Sequence, residues 1–241
     1  MRILALADVH GRVEALESIP EEARKADLAV VCGDLHDGGS EMEAMTVIET
    51  LGDLGPSILI VPGNMDPRGF AVRLWEKAGF SVLHKRSLEV MGAGFAGLGC
   101  VETSDPRRWR DEKRCYHSDE EVYRSIKEAF EKISAFGQRV IVTHQPPRGI
   151  LDRAFDGEAT GSLGLRKFIE EFQPDLIFCA HIHEARGEAR LGRTLAVNPG
   201  EMRKGLFALV DLDLMGEDAE TTAPSRVDWF GPGSRGGWQK E

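Results

Sequence analysis

Apolar runs of four to six residues recur along the chain, each too short for a helix and bounded by polar residues, the pattern of strands buried on both faces. The first covers residues 2–7 and the next two cover 28–32 and 57–61. Between them lie stripes at helical spacing: Val13, Leu16 and Ile19, then Met45, Ile48 and Leu51 behind a capping Ser40. A helix over 70–78 and shorter strands over 81–83, 88–91 and 95–99 follow, the last two joined through Gly92-Ala93-Gly94 as a hairpin. Ser118-Asp119-Glu120-Glu121 has the form of a capping box and opens a helix through Val122, Ile126, Phe130 and Ile133. A strand over 140–143, an amphipathic helix over 163–172, and strands over 176–179, 189–197 and 206–212 complete the series. Such strand–helix alternation predicts an α/β chain, in which ligands collect at the carboxyl ends of parallel strands.

Polar residues stand at those ends. Asp8-Val9-His10-Gly11 follows the first strand, Gly33-Asp34-Leu35-His36-Asp37 the second and Pro62-Gly63-Asn64-Met65-Asp66 the third. His144-Gln145-Pro146-Pro147 and Ala180-His181-Ile182-His183 follow later ones. Alternation along an extended chain predicts that His181 and His183 emerge on one side, and Asp8 and His10 likewise. Together Asp8, His10, Asp34, Asn64, His144, His181 and His183 offer carboxylate, amide and imidazole donors without a thiolate. That set suits two divalent first-row metals better than a structural zinc. An anionic Asp34 between two cations would bridge them and offset their repulsion.

Composition narrows the class. Apolar residues make up 41% and charged residues 29% of the 241, the balance of a globular chain. The pattern predicts one domain over 1–215 and, from residue 216 to 241, a Gly- and Pro-rich tail. The formal charge of −10 disfavours extended nucleic-acid binding. The first apolar run is broken by Asp8, too early for a signal peptide or a membrane span, so the expected location is the cytoplasm. Cys32, Cys100, Cys115 and Cys179 form no Cys-x-x-Cys pair and read as reduced thiols. Residues 101–117 carry Arg107, Arg108, Arg110, Lys113 and Arg114 among Trp109, Asp111 and Glu112, and read as a surface loop that is either a solvated charge cluster or a contact for a substrate phosphate.

In order, Asp8-Val9-His10, Gly33-Asp34, Gly63-Asn64, His144 and His181-Ile182-His183 resemble the motifs of the calcineurin-like metallophosphoesterase superfamily, over about residues 1–213. The small phosphodiesterase branch is the most similar, because the stretch from Asn198-Pro199-Gly200 to the strand ending in Val210-Asp211 also resembles it. The resemblance implies a four-layer α/β/β/α sandwich of two mixed β-sheets flanked by helices. It also implies a binuclear centre with Asp8, His10, Asp34 and His183 on one metal and Asp34, Asn64, His144 and His181 on the other. Manganese is the first expectation for both, with iron, zinc, nickel or cobalt as alternatives. Two metals about 4 Å apart would acidify a shared water and neutralise the transferring oxygens of a small phosphorylated substrate.

Two departures from the family pattern stand out. Met65 occupies the position after Asn64 where much of the family has a histidine that assists the leaving oxygen, and the resemblance then implies action on diesters rather than monoesters. Ala180 stands where glycine is usual, so the backbone there is either ordinary or displaced. His36 is weighed as a replacement acid, which would make the chain a phosphomonoesterase acting on phosphoprotein or a nucleotide, against a hydrogen-bonded supporting role. Asp66 reads as an anchor behind the ligands, and His84 and His117 receive no role. A non-catalytic interaction scaffold on the same fold is the reading from another class, and the complete ligand set argues against it. A homo-oligomer is left open.

Overall fold

The computed structural model describes residues 1–111, 113–214, 226–232 and 238–240. In chain order the strands are β1 (Arg2–Leu6), β2 (Leu28–Val31), β3 (Ser57–Ile60), β4 (Ser81–Val82), β5 (Arg86–Val90), β6 (Ala93–Leu98), β7 (Val101–Glu102) and β8 (Tyr116–His117). They continue as β9 (Arg139–Thr143), β10 (Leu176–Phe178), β11 (Gly187–Leu191), β12 (Thr194–Asn198), β13 (Phe207–Asp211), β14 (Arg226–Pro232) and β15 (Trp238–Lys240). The helices are α1 (Val13–Glu17), α2 (Glu21–Arg24), α3 (Glu41–Gly52), α4 (Ala71–Lys77), α5 (Asp119–Glu131) and α6 (Leu163–Phe172). None of the described helices is long and apolar enough to cross a membrane.

One sheet runs β15-β14-β13-β1-β2-β3-β4 and the other β11-β12-β10-β9-β6-β5. Both are mixed: β1 to β4 are parallel and β13 joins β1 antiparallel, while β6, β9, β10 and β12 are parallel with antiparallel β5 and β11 at the edges. The strands are apolar on both faces because both faces pack. In β1, Ile3 and Ala5 meet Phe95, Val140 and Phe178 of the opposing sheet, whereas Leu4 and Leu6 turn outward to Leu16, Ile48 and Trp75 under α1, α3 and α4. Ile126, Phe130 and Phe168 of α5 and α6 cover the outer face of the second sheet. The result is the expected four-layer α/β/β/α sandwich.

Register sets where the chemistry lies. β1 pairs with β2 at Ile3↔Leu28 and β2 with β3 at Leu28↔Ser57, so the segments bearing Asp8, Asp34 and Asn64 leave one edge side by side. β9 and β10 pair at Val142↔Phe178 and bring His144 and His181 to the matching edge of the other sheet.

Expectations are corrected at three places in the chain. Residues 101–117 are not wholly loop, because β7 and β8 pair in parallel there, and Cys100 and Cys115 form a disulfide with their Cα atoms 5.0 Å apart. Strand pairing, which no cysteine spacing advertises, brings those two thiols together, while Cys32 and Cys179 stay free and buried. The expected tail is in part sheet. Val227 and Trp229 of β14 pack on the inter-sheet core and Phe230 on the helical side, its ring stacked 4.8 Å from that of Phe207. This is ordinary strand alternation, hidden in the sequence by flanking glycine and proline. The rest of that tail, residues 216–225, 233–237 and 241, and Glu112 of the charged loop lie outside the described residues. The third correction is at α5, where Ser118 accepts from the Glu121 amide at 3.2 Å, but the Glu121 carboxylate goes to Lys85 at 2.6 Å and His117 at 3.1 Å instead of closing a capping box. At α3 the reciprocal box between Ser40 and Glu43 does form.

Candidate metal centre

The chain stops being extended where the donors begin. Asp8 (φ 53°), His10 (φ 49°), Asp34 (φ 50°) and His181 (φ 68°) are left-handed, a region that costs a non-glycine residue about 1–2 kcal/mol and is concentrated at functional sites. His183 opens a 3₁₀ turn, His183–Ala185. Strand alternation therefore does not govern these side chains, and His181 and His183 join different clusters. Ala180 lies outside the left-handed region, and His181 one position later takes the turn instead, so the alanine incurs no backbone penalty. The strand ends also approach very closely. A Cβ on Gly63 would collide with Oδ1 of Asp34, and one on Gly33 would lie 2.6 Å from the Gly63 amide nitrogen.

In the first cluster, Asp8, His10 and His183 each present a donor atom within 4.8 Å of the others. Nε2 of His183 is 3.4 Å and Nε2 of His10 is 3.9 Å from Oδ1 of Asp8. That oxygen and both ring nitrogens of His10 are buried with no hydrogen-bond partner among the described residues. Asp34, His144 and His181 form the second cluster on the same criterion. Nδ1 of His144 donates to the Cys32 carbonyl at 2.7 Å, which leaves Nε2 facing Oδ2 of Asp34 at 3.4 Å and Oδ1 of Asn64 at 3.2 Å. Orphaned buried donors beside carboxylates, with imidazoles oriented through their other nitrogen, fit a pair of cations.

The charges agree with that fit. Burial works against charge on both Asp34 and His144, but each outweighs it for the other: Asp34 is held down at about 2 and His144 up at about 9. The pair thus keeps a proton at a place where a cation would displace it. Burial drives His181 down to about 3, which leaves a neutral ring with a free lone pair. Asp66 is buried beside Asp34, and burial first and the neighbouring carboxylate second push it up to about 7. Its two oxygens accept from the Gly63 and His36 amides, both at 2.8 Å, so it ties the Asn64 loop to the Asp34 loop.

His36 lies deeper than a reacting group. It is 2% exposed, its Nε2 accepts from the Trp75 indole at 3.1 Å, and burial lowers it to about 4. Met65 is half-buried, and its amide donates to Oδ1 of Asp34 at 2.7 Å. Two residues stand behind the histidines without having been assigned to the site from sequence, Asn198 read only as part of a turn and Glu201 not at all. Glu201, 1% exposed, places Oε2 3.2 Å from Nδ1 of His183, and Asn198 donates to the carbonyl of Ile182, between the two histidines, at 2.9 Å. The Asn198-Pro199-Gly200 turn was the available signal, since the next buried charge is Glu201.

Residues 1–213 match the model of the calcineurin-like phosphoesterase superfamily domain. The chain belongs to that superfamily. This membership places it among the metal-dependent phosphoesterases, enzymes that hydrolyse phosphoric esters. The uncharacterized protein MJ1162 of Methanocaldococcus jannaschii is 30% identical over 207 residues, 83% of this chain and 88% of that protein. The fold is similar to that of TT1561 of Thermus thermophilus, with a TM-score of 0.70 at 19% identity over 88% of this chain and 94% of that one. It is also similar to a dimetal phosphatase from Danio rerio, with a TM-score of 0.62 at 12% identity over 100% and 98% of the two chains.

Proposed function

We propose that this phosphoesterase is a phosphodiesterase acting on a small substrate, with Asp8, His10, Asp34 and His183 holding one divalent cation and Asp34, Asn64, His144 and His181 the other. Asp34 is shared, and the donor types admit manganese, the first expectation, as well as iron, zinc, nickel or cobalt, with availability deciding among them as much as affinity. When bound, such a pair acidifies water and neutralises the oxygens of the transferring phosphoryl group. The protein's own part is to hold His144 and His183 by their Nδ1 atoms and to set Asp34 through the Met65 amide. Arg114 on the 101–117 segment lies within electrostatic reach of Asp34, which supports a phosphate contact from that side. A cytoplasmic setting belongs to the same reading.

The choice of diester rests on Met65. Its thioether, next in sequence to Asn64, carries no proton, and His36 is only 2% exposed, its ring held by the Trp75 indole rather than free in the site. Expulsion of a poor leaving group without an acid forfeits about 10²- to 10⁴-fold. The test is kcat/KM at saturating manganese for an aryl phosphodiester and an alkyl phosphomonoester. The diester is expected to lead by at least about 10²-fold, and Met65→His to narrow the gap. A wild-type preference for the monoester would overturn the assignment. Absence of both metal uptake and ester hydrolysis would make the scaffold the better reading.

A further inference from the structure

A second group of donors lies outside the two clusters. His84 follows β4, Cys100 follows β6, Cys115 immediately precedes β8 and His117 ends it; one donor atom of each lies within 4.8 Å of the others. The sulfurs form the disulfide, and the rings of His84 and His117 stack 5.5 Å apart at an interplanar angle of 19°. A disulfide requires neither imidazole. His117 is 6% exposed, its Nδ1 lies 3.1 Å from Oε1 of Glu121, and its Nε2 is buried with no hydrogen-bond partner among the described residues. Because a carboxylate only accepts, Nδ1 carries the proton and Nε2 presents a lone pair to which no described group donates. The Glu121 carboxylate that orients this ring is the one withdrawn from the capping box of α5. Cys100 holds a left-handed φ of 74°, with its amide fastened to the Pro62 carbonyl at 2.6 Å.

Two sulfurs and two imidazoles are the donor set of a closed tetrahedral zinc site, and a carboxylate behind a histidine is its usual support. We propose that, once the Cys100–Cys115 bond is reduced, Cys100, Cys115, His84 and His117 bind one zinc ion, with Glu121 positioning His117. A dithiol reductant gives the S–S bond two electrons and two protons and closes to its own cyclic disulfide. Zinc then displaces both thiol protons, and the His84 ring leaves the Gly99 amide that now donates to it at 3.2 Å. The ion's entry path is a cavity of about 390 Å³ lined by Arg68, His84, Cys115, His117 and Glu121, with Asp66 also on its wall. A metal here would pin the arginine-rich segment between Cys100 and Cys115 beside the Asp66 anchor of the catalytic clusters.

Cobalt distinguishes this site from the catalytic one, which contains no sulfur donor. Wild-type protein is reduced with excess dithiothreitol, desalted without air and titrated with Co²⁺. The expected result is a near-ultraviolet sulfur-to-cobalt charge-transfer band that saturates by three ions per chain, because the catalytic pair also takes cobalt, and that disappears on adding excess Zn²⁺. Unreduced protein and the Cys100→Ser/Cys115→Ser double variant should lack the band, and Glu121→Gln should need about 10- to 100-fold more cobalt to reach it. No band in reduced wild type that is folded by circular dichroism would overturn the site. So would a band that survives in the double variant, since Cys32 or Cys179 would then be its source. The readout does not depend on hydrolysis, so an inactive protein with the band leaves the zinc site standing, and an active protein without it leaves the phosphoesterase standing.

Discussion

Glu201 is almost wholly buried yet meets three cations' worth of partners: His183, Arg203 and Lys204. Its contact with Nδ1 fixes the tautomer of His183 and turns Nε2 toward Asp8. Glu201→Gln should therefore weaken manganese binding about 10- to 100-fold while leaving the chain folded, as a calorimetric titration would show. An unchanged affinity would remove Glu201 from the centre. His36 makes a different prediction. Burial lowers it from the ordinary 6.5 to about 4, so between those values the unfolded chain binds the extra proton and stability rises with pH. Its contribution is complete above about pH 6.5 and is lost as pH falls toward 4, up to about 3 kcal/mol. In metal-free protein, urea midpoints between pH 7 and pH 4 should fall less steeply for His36→Gln than for wild type, and parallel curves would refute it.

At the scale of elements, β14 shields β13, the neighbour of the strand that delivers Asp8. Phe230→Ala removes a ring stacked on Phe207 and should cost about 1–3 kcal/mol in urea unfolding, with kcat/KM kept within a few-fold. A loss of activity at full stability would show instead that the Phe230 ring supports the site. The buried strands were legible because a run apolar at every position leaves a strand few alternatives. β14 was not, because its alternation of Val227, Trp229 and Phe230 is short and sits in a Gly- and Pro-rich stretch whose composition points to a tail. β7 and β8 were hidden for a related reason, being two residues each and stabilised by a pairing across the charged loop.

At the scale of the molecule, metal binding and folding are one equilibrium, because the clusters are assembled from both sheets. Manganese at 100 times its dissociation constant should raise stability by about 2.7 kcal/mol per site, and Asp34→Asn should abolish most of that gain in a thermal melt. Equal gains in variant and wild type would place the metal elsewhere. The sequence by itself determined the strand–helix alternation and which polar side chains fall at the strand ends, since burial on both faces dictates apolar strands, while the four layers were what the family resemblance implied. The family resemblance implied how the donors divide, and the tertiary structure supplied the physical means: left-handed turns at Asp8, His10, Asp34 and His181 break the alternation, and His181 lies with Asp34 and His144 while His183 lies with Asp8 and His10. Only the tertiary structure decided that Glu201 stands behind His183 and that Cys100 meets Cys115, because such contacts depend on which strand ends the two sheets bring together, and local pattern carries no record of that.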